Sequence, residues 1–140
     1  MNIGPFFSSD AIGLTLAADQ QFLETPGSFD AVWQLETEEC ASVSLLSTLG
    51  LQARSFQIMP QVSINKVTQE RIQDFFCQPS LDLIFSNYAR LTISPVQDVK
   101  AVVEFWVRSG DWVQGRISIT NHGETNAEIG ARLAARLITL

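Results

Sequence analysis

Ala101-Val-Val-Glu-Phe-Trp-Val-Arg-Ser-Gly-Asp-Trp-Val-Gln-Gly-Arg-Ile-Ser-Ile-Thr120 alternates with a period of two almost throughout. Val103, Phe105 and Val107 share one parity of its first half, and Val102, Glu104, Trp106 and Arg108 share the other. In the second half Val113, Gly115, Ile117 and Ile119 alternate with Trp112, Gln114, Arg116 and Ser118. Side chains of a strand point to opposite faces in turn, so each half reads as a β-strand with one apolar face. The turn falls at Ser109-Gly110-Asp111. A two-residue turn at Ser109-Gly110 would set Trp106 opposite Val113, with the apolar face of one strand beside the polar face of the other. A three-residue loop pairs Val107 with Val113, Phe105 with Gly115 and Val103 with Ile117 on one face. It pairs Arg108 with Trp112, Trp106 with Gln114 and Glu104 with Arg116 on the other. A slip of one residue would turn every side chain to the wrong face, so burial of the apolar face selects the second register. Gly110 or Asp111 can supply the positive φ that such a loop needs.

This register collects Glu104, Trp106, Arg108, Trp112, Gln114 and Arg116 on the face away from the core. Two tryptophans on a polar face are a candidate interaction site, because large exposed apolar patches mark such sites. Three occupants fit: a loop or helix of the same domain, another domain of a longer chain, or a glycan. A sugar would lay its C–H faces on the indoles while Arg, Glu and Gln bond its hydroxyls. The Trp and Arg neighbours also suit a local cation–π contact. Charges around the rings predict a face that is at least partly open, since deep burial would leave them poorly solvated.

Outward from the hairpin the same period recurs. Ile12, Leu14 and Leu16 alternate with Gly13, Thr15 and Ala17, and Phe29, Ala31, Trp33 and Leu35 alternate with Asp30, Val32, Gln34 and Glu36. Pro26-Gly27 between them is a turn signal. Ser42–Leu46, Leu81–Phe85 and Arg90–Ile93 read as further strands. Phe56, Ile58, Val62 and Ile64 share a parity with Pro60 among them; a proline cannot donate to a ladder, so an edge strand or a break is expected there. Val67–Cys77 departs from the pattern. Thr68-Gln-Glu-Arg71 followed by Ile72, Phe75 and Phe76 fits one short helix with Thr68 as N-cap, ended by Pro79. In the last segment Ile129, Ala131, Leu133, Ala135 and Leu137 alternate with Gly130, Arg132, Ala134 and Arg136, which is a strand with a basic outer face. Thr125-Asn-Ala-Glu128 also has the form of a helical capping box, so 127–140 stays open between strand and helix. The loop that directly follows a strand and the cost of Gly130 in a helix favour the strand.

These elements predict a mostly β chain: a two-sheet antiparallel β-sandwich with one short helix, forming a single domain over 1–140. The expected core is Leu14, Leu16, Trp33, Leu35, Val43, Phe56, Ile58, Leu83, Phe85, Val103, Phe105, Val107, Ile117 and Ile119. A chain of 140 residues and 15.5 kDa can bury such a core without disulfides or metal. Its 46% hydrophobic and 17% charged content excludes an ordinary disordered chain. A formal charge of −6 argues against a general nucleic-acid partner. No apolar run approaches the roughly 18 residues of a membrane span, so no membrane partner is expected. The opening Met-Asn-Ile-Gly-Pro-Phe-Phe has no basic residue and is interrupted by Pro5; lacking a secretory signal, the chain is expected to be cytoplasmic. Ala-Arg-Leu-Ile-Thr-Leu140 stops inside an apolar pattern, as expected of the N-terminal fragment of a longer protein.

Little in the chain suggests chemistry. His122, in Asn121-His-Gly-Glu124, is the one histidine, and no nucleophile elbow, metal motif or phosphate loop accompanies it. Glu36, Glu38 and Glu39 form an acidic group with Thr37. Paired carboxylates can hydrolyse glycosides or hold calcium, but adjacent acids at a strand end read as a solvated turn. Cys40 and Cys77 read as two separate thiols or as a single bridge. No catalytic residue, metal ligand or cofactor is expected.

Gly115-Arg-Ile-Ser-Ile-Thr-Asn-His-Gly-Glu-Thr-Asn-Ala-Glu-Ile-Gly-Ala-Arg-Leu-Ala-Ala-Arg-Leu137 reads as two strands joined at an Asn-x-Gly tip. Upstream stand Gln61-Val-Ser-Ile-Asn65, Phe85-Ser-Asn-Tyr88 and the Phe105-Trp106 strand. Over roughly 45–140 this order resembles the N-terminal β-sandwich domains of large bacterial glycoside hydrolases of the glycogen-debranching and glucoamylase-like kind. Generic immunoglobulin-like modules share much of it. In that family the catalytic acids lie in a following (α/α)-toroid, so the resemblance carries no catalytic residue to this chain. It implies a non-catalytic accessory domain that docks on the following domain of its parent chain or contributes to glycan binding. A free-standing adhesive or protein-binding module is the alternative.

Overall fold

The computed structural model describes residues 13–16, 33–38, 41–49, 52–69, 72–109 and 112–140. Its strands are β1 (Gly13–Leu16), β2 (Trp33–Glu38), β3 (Ala41–Ser47), β4 (Ser55–Ile64), β5 (Val67–Thr68), β6 (Cys77–Phe85), β7 (Tyr88–Ser94), β8 (Val99–Ser109), β9 (Trp112–Asn121) and β10 (Ile129–Ile138). They form two antiparallel sheets, ordered β1-β2-β3-β4-β10 with β5 against β4, and β6-β7-β8-β9. The chain is mostly β, as its period-two patterning predicts.

The hairpin β8–β9 takes the register that buries its apolar face. Val107 lies opposite Val113, Phe105 opposite Gly115, Val103 opposite Ile117, Trp106 opposite Gln114 and Glu104 opposite Arg116. One pair differs: Trp112 faces Ser109, with an irregularity between Val107 and Ser109 that takes up Arg108 as an extra residue. An inserted residue of this kind bends the strand end without changing the register beyond it.

Both sheets contribute to one core. Leu16, Trp33, Leu35 and Leu45 come from the first; Leu81, Ala89, Leu91, Ile93, Ala101, Val103, Phe105 and Val107 come from the second. Trp33 meets Phe56 edge-on, with ring centroids 6.0 Å apart. Phe56, Ile58, Ile117 and Ile119 pack around this core partly buried. A smaller cluster, Val62, Ile64 and Val99, closes one end. The expected core members Leu14 and Val43 have side chains outside the described residues.

Phe85 is not a core residue; it is exposed, and Leu83 is half-buried. The reason is a register shift between Leu81 and Leu83. Leu81 faces Leu91, but beyond the shift Ile84 faces Ala89 and Phe85 faces Tyr88. The buried parity therefore passes from odd to even numbers at Asp82, and Ile84 takes the place against the core.

In place of the expected helix over Val67–Cys77, the described residues show one 3₁₀ turn at Ile72–Asp74. Asn65 and Lys66 both have positive φ, the conformation of a tight hairpin turn, and fold Val67–Thr68 back on β4. Thr68 is thereby spent on a strand, and too few residues remain before β6 for a stable helix. Pro60 neither breaks β4 nor sits on an edge strand. β4 runs between β3 and β10, and Pro60 falls between the stretch paired with β3 and the stretch paired with β5. Its missing donor costs no ladder bond on that side. The last segment is a strand: β10 pairs with β4 from Ile129 opposite Ile64 to Ile138 opposite Ser55. Asn65 and Glu128 fix the start of that pairing, each donating its backbone N–H to an oxygen of the other.

Phe105 is buried where the two sheets meet, so Phe105→Ala should cost about 3–5 kcal/mol of folding stability in a urea titration. A loss below about 1 kcal/mol would place the ring outside the core.

Candidate functional site

The outer face of the second sheet is built by two cross-strand rows. Phe85 faces Tyr88, Tyr88 faces Trp106, and Trp106 faces Gln114. In the next row Leu83 faces Arg90, Arg90 faces Glu104, and Glu104 faces Arg116. The rows are direct neighbours because residues two apart on a strand share a face. Trp112, two residues before Gln114 on β9, shares its face at the end of the sheet.

The rings form a chain of contacts. Phe85 and Tyr88 lie 6.1 Å apart by centroid, and Tyr88 and Trp106 lie 5.0 Å apart. The guanidinium of Arg116 sits 5.4 Å from the Trp106 ring, and that of Arg108 sits 5.9 Å from the Trp112 ring. Both indoles thus carry a cation within the range of a cation–π contact. Trp106 is half-buried, whereas Trp112 is 59% exposed.

Glu104 joins the two rows. Its Oε1 accepts a 2.7 Å hydrogen bond from the Tyr88 hydroxyl, and its Oε2 accepts a 2.6 Å bond from Arg116 Nε. Only 6% of the residue is exposed, although it stands on an outer face. The sequence-based expectation that charges keep this face open therefore fails at Glu104. Its charge is met by two donors rather than by water, which is the condition for burying a carboxylate. The Arg116 and Tyr88 hydrogen bonds hold the Glu104 carboxyl below its ordinary 4.5, outweighing the opposing effect of burial. Burial, reinforced by the bond to the Glu104 carboxylate, pushes the Tyr88 hydroxyl above its ordinary 10.0.

All six residues singled out from the hairpin lie on this structure as one surface. Glu104, Trp106 and Arg116 are in mutual contact through the carboxylate and the cation–π pair; Arg108 and Trp112 form the exposed end; Gln114 is exposed between them. Hairpin reasoning alone missed Tyr88, Phe85 and Arg90. Tyr88, Arg90 and Thr92 alternate with the buried Ala89, Leu91 and Ile93, and that parity is the signal that places them here.

The remaining candidates are scattered. His122 is exposed; its backbone N–H donates to the Asp98 carbonyl. It borders a shallow hollow with Cys77, Ser94 and Lys100. Cys77 is an exposed free thiol, while Cys40 lies outside the described residues. Glu36 and Glu38 belong to β2, but their side chains and Glu39 also lie outside the described residues. Among the described residues no His, Cys, Asp and Glu side chains group as metal ligands, and no helix is long and apolar enough to cross a membrane. In comparison with known proteins, no family model, no curated protein and no solved structure matches the chain.

The Glu104 network sets a pH dependence. A carboxyl held below its ordinary value adds stability above that value and loses it as pH falls through the folded-state pKa; a tyrosine held above its ordinary value adds stability that is lost on the alkaline side. The network should be at full strength between about pH 5 and about pH 9. Glu104→Gln should lower stability at pH 7 and flatten the acid limb in urea titrations from pH 6 to pH 2. Parallel acid limbs for the two proteins would mean that Glu104 is not held by these donors.

Proposed function

We propose that the chain is a non-catalytic accessory β-sandwich domain of a larger carbohydrate-active protein, and that the outer face of its second sheet docks on a catalytic domain of the same parent chain. The aromatic row Phe85-Tyr88-Trp106, with exposed Trp112 on the same face and flanked by Arg108 and Arg116, carries this reading. Trp, Tyr and Arg dominate the energetic centres of protein interfaces. Docking is favoured over sugar stacking as the main role, because a guanidinium already stands over each indole. A glycan would have to displace it to reach the ring. The exposure of Trp112 and Phe85 favours a secondary contribution to glycan binding at the ends of this face. The resemblance of residues 45–140 to glycoside hydrolase sandwich domains supplies the carbohydrate-active context.

Trp112→Ser tests this cleanly, since the ring is largely outside the core. Calorimetric titration of the chain with the catalytic domain encoded in the same reading frame should show binding, weakened about tenfold or more by Trp112→Ser. Stability should be unchanged. Binding of soluble maltooligosaccharides without binding of the domain would make the row a glycan platform. An open reading frame that encodes no such domain would favour the free-standing protein-binding module.

A further inference from the structure

The two sheets part along one side of the sandwich. Among the described residues β9 pairs only with β8 and β10 only with β4, so each ends its sheet there. Between these edges lies a cavity of about 330 Å³, lined by Leu45, Ile58, Phe105, Val113, Ile117 and Leu133 among others. β10 has ten residues in unbroken register with β4. Leu133 and Leu137 lie opposite Pro60 and Phe56, on the side of β10 that turns toward the cavity. They are nevertheless 69% and 55% exposed. Proteins blunt such edges with proline, bulges, inward-pointing charges or charged edge residues; of these β10 has only the last, in Arg132 and Arg136. Its outward residues are Gly130, Arg132, Ala134 and Arg136, so this strand is purely basic in a chain of net charge −6. Arg132 is held on the outer side by a hydrogen bond from its Nε to Gln61.

We propose that the β10 edge takes an extended segment of a partner polypeptide as an added strand, its apolar side chains alternating into the cavity and acidic side chains facing Arg132 and Arg136. Main-chain pairing at a sheet edge supplies affinity, and the alternation of side chains supplies selectivity. Opposite charges across a strand pair stabilise it and like charges destabilise it. A second copy of β10 would add only like charge to this edge, so an acidic partner strand fits better than self-pairing. This surface is separate from the aromatic row and stands whether or not that row docks a domain.

The probes are two fluorescein-labelled decapeptides, one alternating valine with glutamate and one alternating valine with lysine, followed by anisotropy. The glutamate peptide should bind at least tenfold more tightly than the lysine peptide, and more weakly as salt rises. The charge-reversed double variant Arg132→Glu, Arg136→Glu should prefer the lysine peptide. Leu133→Asp, at an exposed position, should abolish binding while circular dichroism and urea midpoint stay within error. Equal binding of the two peptides, or binding of neither, would overturn the proposal. So would sedimentation that shows a dimer of the chain dissociated by Leu133→Asp, since the edge would then belong to a second copy.

Discussion

The pairing of Val103, Phe105 and Val107 with Ile117, Gly115 and Val113 is the constraint from which the rest of the molecule follows. It puts three buried side chains of β8 against the first sheet and thereby commits every intervening residue to the outside. Strand periodicity leaves no intermediate choice. A register displaced by one residue would turn one strand over against the other, so that keeping Phe105 buried would bring Gln114 and Arg116 between the sheets, replacing apolar burial by desolvated charge. The outer-face surface is therefore a geometric consequence of the core and not a separate feature added to it.

That surface is ordered from beneath by Glu104. A buried carboxylate is unfavourable alone, but Tyr88 and Arg116 each donate to it, and Arg116 in turn lies over Trp106. The arrangement ties β7, β8 and β9 together at their side chains as well as through their ladders. It also packs the Trp106 ring between Tyr88 and the Arg116 guanidinium. A pre-ordered aromatic and guanidinium surface loses less side-chain entropy when a partner covers it, which suits the proposed docking role. The opposite side of the sandwich is built differently. There the apolar faces of β9 and β10 extend beyond the partners that would cover them, and the cavity between the sheets is open.

Much of this architecture was readable in the sequence because the strands that matter most alternate strictly. The hairpin register and the outward set Glu104, Trp106, Arg108, Trp112, Gln114 and Arg116 follow from parity, whereas at 129–138 a helical capping box competed with it and Gly130 tipped the reading to a strand. Parity fails wherever one residue is inserted. The shift at Asp82 turned Phe85 outward and Ile84 inward, and the extra Arg108 moved Trp112 opposite Ser109; neither carries a glycine or proline to announce it. The spacing of Ile72, Phe75 and Phe76 imitated a helical face, while the Asn65-Lys66 turn had already drawn Val67 and Thr68 into a strand. Tyr88 escaped notice because its partner Glu104 stands sixteen residues away, across a β7–β8 pairing that no local pattern specifies.

The hairpin register is best tested by interstrand backbone nuclear Overhauser effects in the isotope-labelled chain. The account requires contacts that connect Trp106 with Gln114 and Glu104 with Arg116, with Phe105 opposite Gly115. A ladder connecting Trp106 with Val113 and Phe105 with Gln114 would contradict it, and would remove the aromatic row and the Glu104 network together.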